Sequence, residues 1–200
     1  LSGEVPAAGE LETTLAHEVL ACTEFPVLVG SAVTEVGVDL LAEHLCELGP
    51  SPADRPVRLL AGETEVEVAA DPQGEAAALI FRTVTDPFVG QLSLFKVISG
   101  TVRNDMRLVN ATTGTEERLH GLFHLRGKEH LNTAEVVAGD IAAAPKLADS
   151  PTGSVLAASK VPYRFPGLTP RPTPFGLALE PVTQADDDKL SGSLSTLVAE

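Results

Sequence analysis

Residues 77–102 read AALIFRTVTDPFVGQLSLFKVISGTV, two apolar-rich runs on either side of Asp86-Pro87 and Gly90, closed by Ser99-Gly100-Thr101. The runs are rich in β-branched and aromatic residues (Ile80, Phe81, Val84, Phe95, Val97, Ile98) and carry no helical period, so each predicts a β-strand. Gly90 and Gly100 relieve backbone strain at the ends of the second strand. Pro87, which lacks an N–H, is expected to stay outside the ladder. With the stretches around them, AAALIFRTVT, QLSLFKVIS, MRLVNATTG, ERLHGLFHLR and DIAAAPKL are short β-like runs separated by DPFVG, GTVRND, TGTE and GKEHLNTAEVVAG. That spacing predicts a small antiparallel β-barrel over residues 76–160.

The flanks follow other patterns. In ELETTLAHEVLA, residues 10–21, Leu11, Leu15 and Val19 recur at four-residue steps, which suits an amphipathic helix with an acidic outer face. FPVLVG at 25–30 is a short apolar run of the kind found in a strand buried on both faces. In VGVDLLAEHLCELG, Val38, Leu41, Leu45 and Leu48 form one helical stripe, with Gly49-Pro50 as its stop. Residues 1–52 therefore read as the closing part of an α/β domain. Residues 53–75, with scattered prolines and the acidic ribbon ETEVEVAAD, read as a linker with one edge strand. VPYRFPGLTPRPTP places five prolines in a stiff connector over 161–174. From 175 to 200, FGLALEPVT predicts a strand, and QADDDKLSGSLSTLVAE a helix with acidic residues in its first turn, where the helix dipole favours them. The fold class expected is mixed: an α/β remnant, an antiparallel β-barrel, and a βα start of a ferredoxin-like domain.

The 200 residues hold 44% hydrophobic side chains and both charge signs, the composition of a globular chain. No apolar run approaches the roughly 20 residues of a membrane-spanning helix, and the N-terminus lacks the order of a secretion signal. A cytoplasmic segment of a longer chain is the expectation. The net charge of −14 argues against nucleic acid, yet it is unevenly spread. Residues 1–75 hold 2 basic and 15 acidic side chains, and residues 76–160 hold 9 and 8, so the middle is free to meet a polyanion through local basic clusters. Cys22 and Cys46 lack the spacing of a disulfide framework or zinc knuckle and read as two reduced thiols.

Three stretches in this order resemble the middle of translation elongation factor G. PVLVGSA, 26–32, is similar to the fifth guanine-nucleotide motif of that family's GTPase domain, and LGPSP, 48–52, to that domain's exit. AALIFRTVTDPFVGQLSLFKVISGTV and ERLHGLFHLRGKEHLNTAEVVAGDIAA, 117–143, resemble the barrel called domain II, including the turn Ala138-Gly139-Asp140. LALEPVTQADDDKL, 177–190, resembles the opening of domain III.

The resemblance implies a parent that hydrolyses GTP with Mg2+ and engages the ribosome, as a monomer in the cytoplasm, with this segment coupling the GTPase domain to the distal ones. Translocation, ribosome disassembly or recycling, and ribosome protection all remain open. Gln91, where the family commonly has a basic residue, and the 162–174 prolines tilt towards a paralogue. The chain itself holds no G-x-x-x-x-G-K-[ST] phosphate loop and no Asn-Lys-x-Asp motif, so it is not expected to be a GTPase alone. Of the nucleotide site, the resemblance leaves Gly30, Ser31 and Ala32, which as a bare tripeptide read as a tight turn with a serine cap. It implies contacts of the barrel to small-subunit RNA, for which Lys96, Arg103, Arg107, Arg118, Arg126 and Lys128 are the candidates, foremost the Arg126-Gly127-Lys128 tip.

No catalytic residue and no metal site is expected. His120 and His124, four apart in one expected strand, would lie about 13 Å apart, too far to share an ion. His17, His44 and His130 fall on helix faces or a loop. Asp186, Asp187 and Asp188 lack the spacing of a calcium loop. Two readings of other classes are a flavin- or ligand-binding small barrel and an acidic protein-interaction module.

Overall fold

The computed structural model describes residues 8–86, 90–147, 149–158, 163–167, 173 and 175–199. Two compact units divide the chain, residues 1–55 and 56–200.

In the first unit, helices α1 (Ala8–Leu20) and α2 (Val38–Leu48) pack against each other. Leu41, Leu45 and Leu48 of α2 face Val19, Pro26 and Leu28 across an apolar groove of about 370 Å³. The α2 helix stops at Gly49, whose backbone is extended (φ −68°, ψ 128°) ahead of Pro50, and a Cβ there would lie 2.4 Å from the Leu45 carbonyl oxygen, so the position takes glycine. The buried strand expected at 25–30 does not form. These residues have no ladder partner, and Phe25, Val27 and Val29 are 74%, 88% and 89% exposed. A strand exists only by pairing, and the described residues of this unit offer one isolated bridge, Ser31 to Val36.

In the second unit the strands are β1 (Val57–Ala61), β2 (Thr64–Val68), β3 (Ala77–Asp86), β4 (Gly90–Ser99), β5 (Thr101–Arg103), β6 (Arg107–Asn110), β7 (Glu116–Arg118), β8 (Leu122–Arg126), β9 (Glu129–Thr133), β10 (Glu135–Val137), β11 (Ile141–Pro145), β12 (Val155–Ala157) and β13 (Tyr163–Arg164). Eight of them form one antiparallel sheet in the order β7-β6-β12-β3-β4-β11-β8-β9, and β5 pairs with β10. Leu108 of β6 and Leu122 of β8 lie near opposite ends of that order. Both nevertheless belong to one buried cluster with Ile80, Phe95, Val97, Val102, Val136 and Leu156. A sheet whose two ends share a core must curl round it, so the architecture is barrel-like, as the strand spacing predicts.

Alternation decides which residues line that core. Phe95 and Val97 of β4 point inward; Leu92, Leu94 and Ile98 lie on the outer face. Gly100 is required between β4 and β5, because its φ is +71° and a Cβ there would lie 2.5 Å from the backbone nitrogen of Ala76. Pro87 lies outside the described residues.

Four local expectations change. Residues 53–75 are not a linker: β1 and β2 form a hairpin over a turn at Gly62-Glu63, and with β13 they make a three-stranded sheet. In β2, Glu65 and Glu67 are exposed while Val66 and Val68 pack inward, so Leu59, Val66 and Val68 cover Ala77, Ile98 and Val155 on the outside of the barrel. ERLHGLFHLR is two strands, β7 and β8, broken at Leu119-His120-Gly121 with Gly121 at φ +83°. GKEHLNTAEVVAG is largely strand, β9 and β10. No strand forms at 175–183, again for want of a partner among the described residues.

Helix α3 (Gln184–Ala199) follows as expected. Thr183 caps it: the Asp186 N–H donates to Thr183 Oγ1 (3.3 Å) and the Thr183 N–H to Asp186 Oδ2 (3.1 Å), a reciprocal pair that explains the acidic first turn. Residues 161–174 fall mostly outside the described residues, apart from β13 and its neighbours.

A buried polar network pins the 147–154 loop. Asn110, fully buried at the end of β6, donates from Nδ2 to the Asp149 carbonyl (2.9 Å) and to Ser150 Oγ (3.1 Å). Its Oδ1 accepts from the Thr112 N–H (2.9 Å). Ser150 Oγ in turn donates to Glu117 Oε1 (3.0 Å), which also accepts from the Asp149 N–H. The buried side chains of the cluster are thereby answered, as burial demands.

Candidate nucleic-acid interface

The residues of Gly30-Ser31-Ala32 form a backbone turn. The Ser31 N–H donates to the Val36 carbonyl (2.9 Å), and Ser31 Oγ accepts from the Thr34 N–H (3.3 Å). A Cβ on Gly30 would lie 2.8 Å from the Val36 oxygen, and one on Gly37 would lie 2.9 Å from the Val29 oxygen. The two glycines thus let the chain pass close to itself. The helix-cap position belongs to Gly37, in the left-handed region at φ +77°, so Ser31 caps the turn and not α2.

The six candidate cations are scattered over the barrel, and most are answered by carboxylates. Arg103 on β5 lies 3.2 Å from Glu135 on β10, and Arg107 on β6 lies 2.6 Å from Glu116 on β7. Arg118 on β7 lies 3.0 Å from Asp105, and Arg126 lies 3.8 Å from Glu129 across the β8–β9 turn. Arg107 and Arg118 stand opposite each other in the ladder, so Asp105 and Glu116 offset two guanidiniums that would otherwise repel. These pairs are all solvent-exposed and individually weak. Lys96 and Lys128 have no carboxylate partner among the described residues.

Pairing also identifies a cation that the sequence pattern does not single out. Arg82 sits opposite Leu94 after a register shift in β3, which turns its side chain to the outer face, where it is exposed and unpaired among the described residues. Its only signal in the sequence is an arginine inside an apolar strand. The consequence depends on the bulge, which sequence does not announce.

The histidines divide by their partners. His120 lies outside any strand, its Nδ1 3.4 Å from Asp105, while His124 on β8 meets the Ile141 carbonyl at 3.1 Å. The two do not share a strand. His130, expected in a loop, is on β9 and stacks on Phe123 with ring centroids 4.5 Å apart. His44 on α2 bonds the Leu40 carbonyl. Among the described residues no group of three or more His, Cys, Asp or Glu is placed to hold a metal ion, and no helix is long and apolar enough to cross a membrane.

The second unit is thus a curled antiparallel sheet with paired and unpaired cations on its outside. Residues 75–158 match the family described as elongation factor G domain 2. The whole chain is also similar in fold to a crystal structure of a protein from Thermus thermophilus, with a TM-score of 0.68 and 25% sequence identity over 99% of this chain. The chain spans 28% of the length of that structure's chain.

Proposed function

We propose that this chain is the ribosome-contacting, domain-coupling segment of a GTP-using translation factor, whose parent acts in ribosomal translocation or in ribosome disassembly and recycling. The observation that carries the reading is the elongation factor G domain 2 match over 75–158. Its physical content is a rigid β domain with cations on its outer surface. The residues of this chain do not fit GTP or Mg2+ by themselves, since no phosphate loop is present in the sequence and Ser31 is engaged in its own turn. No step of hydrolysis is therefore placed here. In the parent, GTP would act by favouring one arrangement of domains, and the barrel would carry that preference onward only by as much as GTP distinguishes the arrangements. The segment's partners on this reading are the parent's own GTPase domain and small-subunit RNA, in the cytoplasm.

The test is GTP turnover by the full-length parent with and without purified ribosomes. Stimulation by ribosomes is expected. Turnover that is unchanged by ribosomes, or a parent that does not bind GTP, would overturn the reading.

A further inference from the structure

The strand that leaves the barrel is fastened to the strand that enters it. β13 lies beside β1, with Leu60 opposite Arg164 and Ala61 opposite Tyr163. The β1–β2 turn holds two residues, Gly62 and Glu63, with Gly62 at φ +66°, so Ala61 and Thr64 form its hydrogen-bonded closing pair. Bonding alternates along an antiparallel ladder, so Leu59 and Val57 also bond β2, while the backbone groups of Leu60 and Arg58 point to the other side. Leu60 and Arg164 are therefore the bonded pair between β1 and β13. In that register the next positions able to bond β1 are 162 and 166, and both are proline. Proline has no N–H to give, so the ladder is confined to one pair that makes both bonds.

Packing supplies the rest of the attachment. Arg164 is exposed, and Tyr163 and Phe165 on either side of it are half-buried in the cluster of Leu59, Ala77, Ile98 and Val155. The stretch PYRFP, 162–166, thus combines two aromatic anchors, one bonded residue and two ladder stops. Without β13, β1 keeps its pairing with β2 along its whole length, and Tyr163 and Phe165 take no part in the cluster inside the barrel. Releasing β13 therefore costs the aromatic contacts and one bonded pair, a small part of what unfolding the domain costs. That is the condition for a segment to open by itself. Its place makes it a control point: the first unit ends at Arg55, β1 begins at Val57, and β13 precedes the segment that carries α3.

We infer that β13 is a releasable latch. Closed, it clamps the chain leaving the barrel to the chain entering it; open, it comes away while β1, β2 and the barrel stay folded. A shift of β1 from the side of the first unit moves β13 with it only while the latch is closed, so the latch is a two-state element between the segments before and after the barrel. That use in coupling rests on the function proposed above. The latch itself is tested without GTP or ribosomes, so failure of the one is distinguishable from failure of the other.

The experiment is amide hydrogen exchange, resolved residue by residue by NMR, on the 200-residue chain. The N–H groups of Leu60 and Arg164 are expected to exchange together, about a hundredfold faster than those of Leu59, which faces β2, and Val97, which bonds the Asp140 carbonyl. Arg164→Pro, at an exposed position, removes the donor of β13. It is expected to speed exchange at Leu60 by about tenfold and to change Leu59 and Val97 by less than about twofold. It should also open Tyr163, the one tyrosine of a chain without tryptophan, to quenching of its fluorescence by iodide. Phe165→Ala, which cuts an anchor and leaves the backbone bonds in place, is expected to act in the same direction. Exchange of Leu60 and Arg164 at the rate of Leu59 and Val97 would mean that β13 opens only with the whole domain, and would overturn the latch. Exchange of Arg164 at the rate of an unstructured amide would mean that it never closes, and would overturn it equally. Unequal rates at Leu60 and Arg164 in the wild-type chain would dissolve the bonded pair on which the latch depends. The wild-type measurement decides the matter even if a variant fails to fold.

Discussion

Asn110 shows how one side chain can hold two strands and a loop in place. It is fully buried, donates twice to the 149–150 loop and accepts from the Thr112 N–H. Asn110→Ala removes these bonds together with a fourth, from the Thr113 N–H (3.3 Å), and empties a buried position, at a cost of about 2–3 kcal/mol. A melting experiment is expected to show a fall of roughly 5–10 °C for a chain of this size. Thr112→Ala, at an exposed position, is the control and should leave the melting temperature nearly unchanged. Nothing in the local pattern NATTG separates this asparagine from an ordinary turn residue, since the partners of its Nδ2 lie 39 and 40 positions away. The glycines are easier to read. Gly90 and Gly100 both have positive φ, as their places at strand ends suggest, because that requirement is local to the backbone.

Among the elements, the three-stranded sheet of β1, β2 and β13 is the largest departure from the sequence reading. Its alternation is visible in ETEVEV, where Glu65 and Glu67 are outward and Val66 and Val68 inward. The nearby prolines and acidity nonetheless favour a linker, because alternation states that one face is buried and not what buries it. Leu59, with no exposed surface, is the centre of the contact with Ala77, Ile98 and Val155. Leu59→Ala is expected to destabilise the second unit by about 2–5 kcal/mol, as a large-to-small change in a core does, although it lies outside residues 75–158. Denaturant titration would check this, and a loss below about 0.5 kcal/mol, the range of an ordinary surface change, would mean that the sheet is not part of the folding unit. The runs at 25–30 and 175–183 show the converse. Both have strand-like composition, and neither is paired among the described residues, since a ladder needs a second strand that composition cannot supply.

For the chain as a whole, the absence of a phosphate loop leads to a direct expectation: GTP should not raise the melting temperature of the 200 residues. A site that binds the folded state would shift it in proportion to the logarithm of ligand concentration, so a thermal-shift series across GTP concentrations reads the answer, and a rising shift would reveal a nucleotide site. Local pattern is enough for the barrel and the helices. Strand alternation, strand-end glycines and the stripe of Leu41, Leu45 and Leu48 are each set by backbone geometry within a few residues, so they stand in the sequence unaided. The acidic excess of the first 75 residues is legible in the same way. Folding in three dimensions was needed to establish which strands neighbour one another, that residues 57–68 cover the barrel, and which cations are answered by carboxylates. Arg103 meets Glu135 across 32 positions and Lys96 meets no carboxylate among the described residues, although both are simply basic residues in the sequence. Pairing, burial and charge compensation are properties of distance in space, which sheet register sets and sequence separation does not.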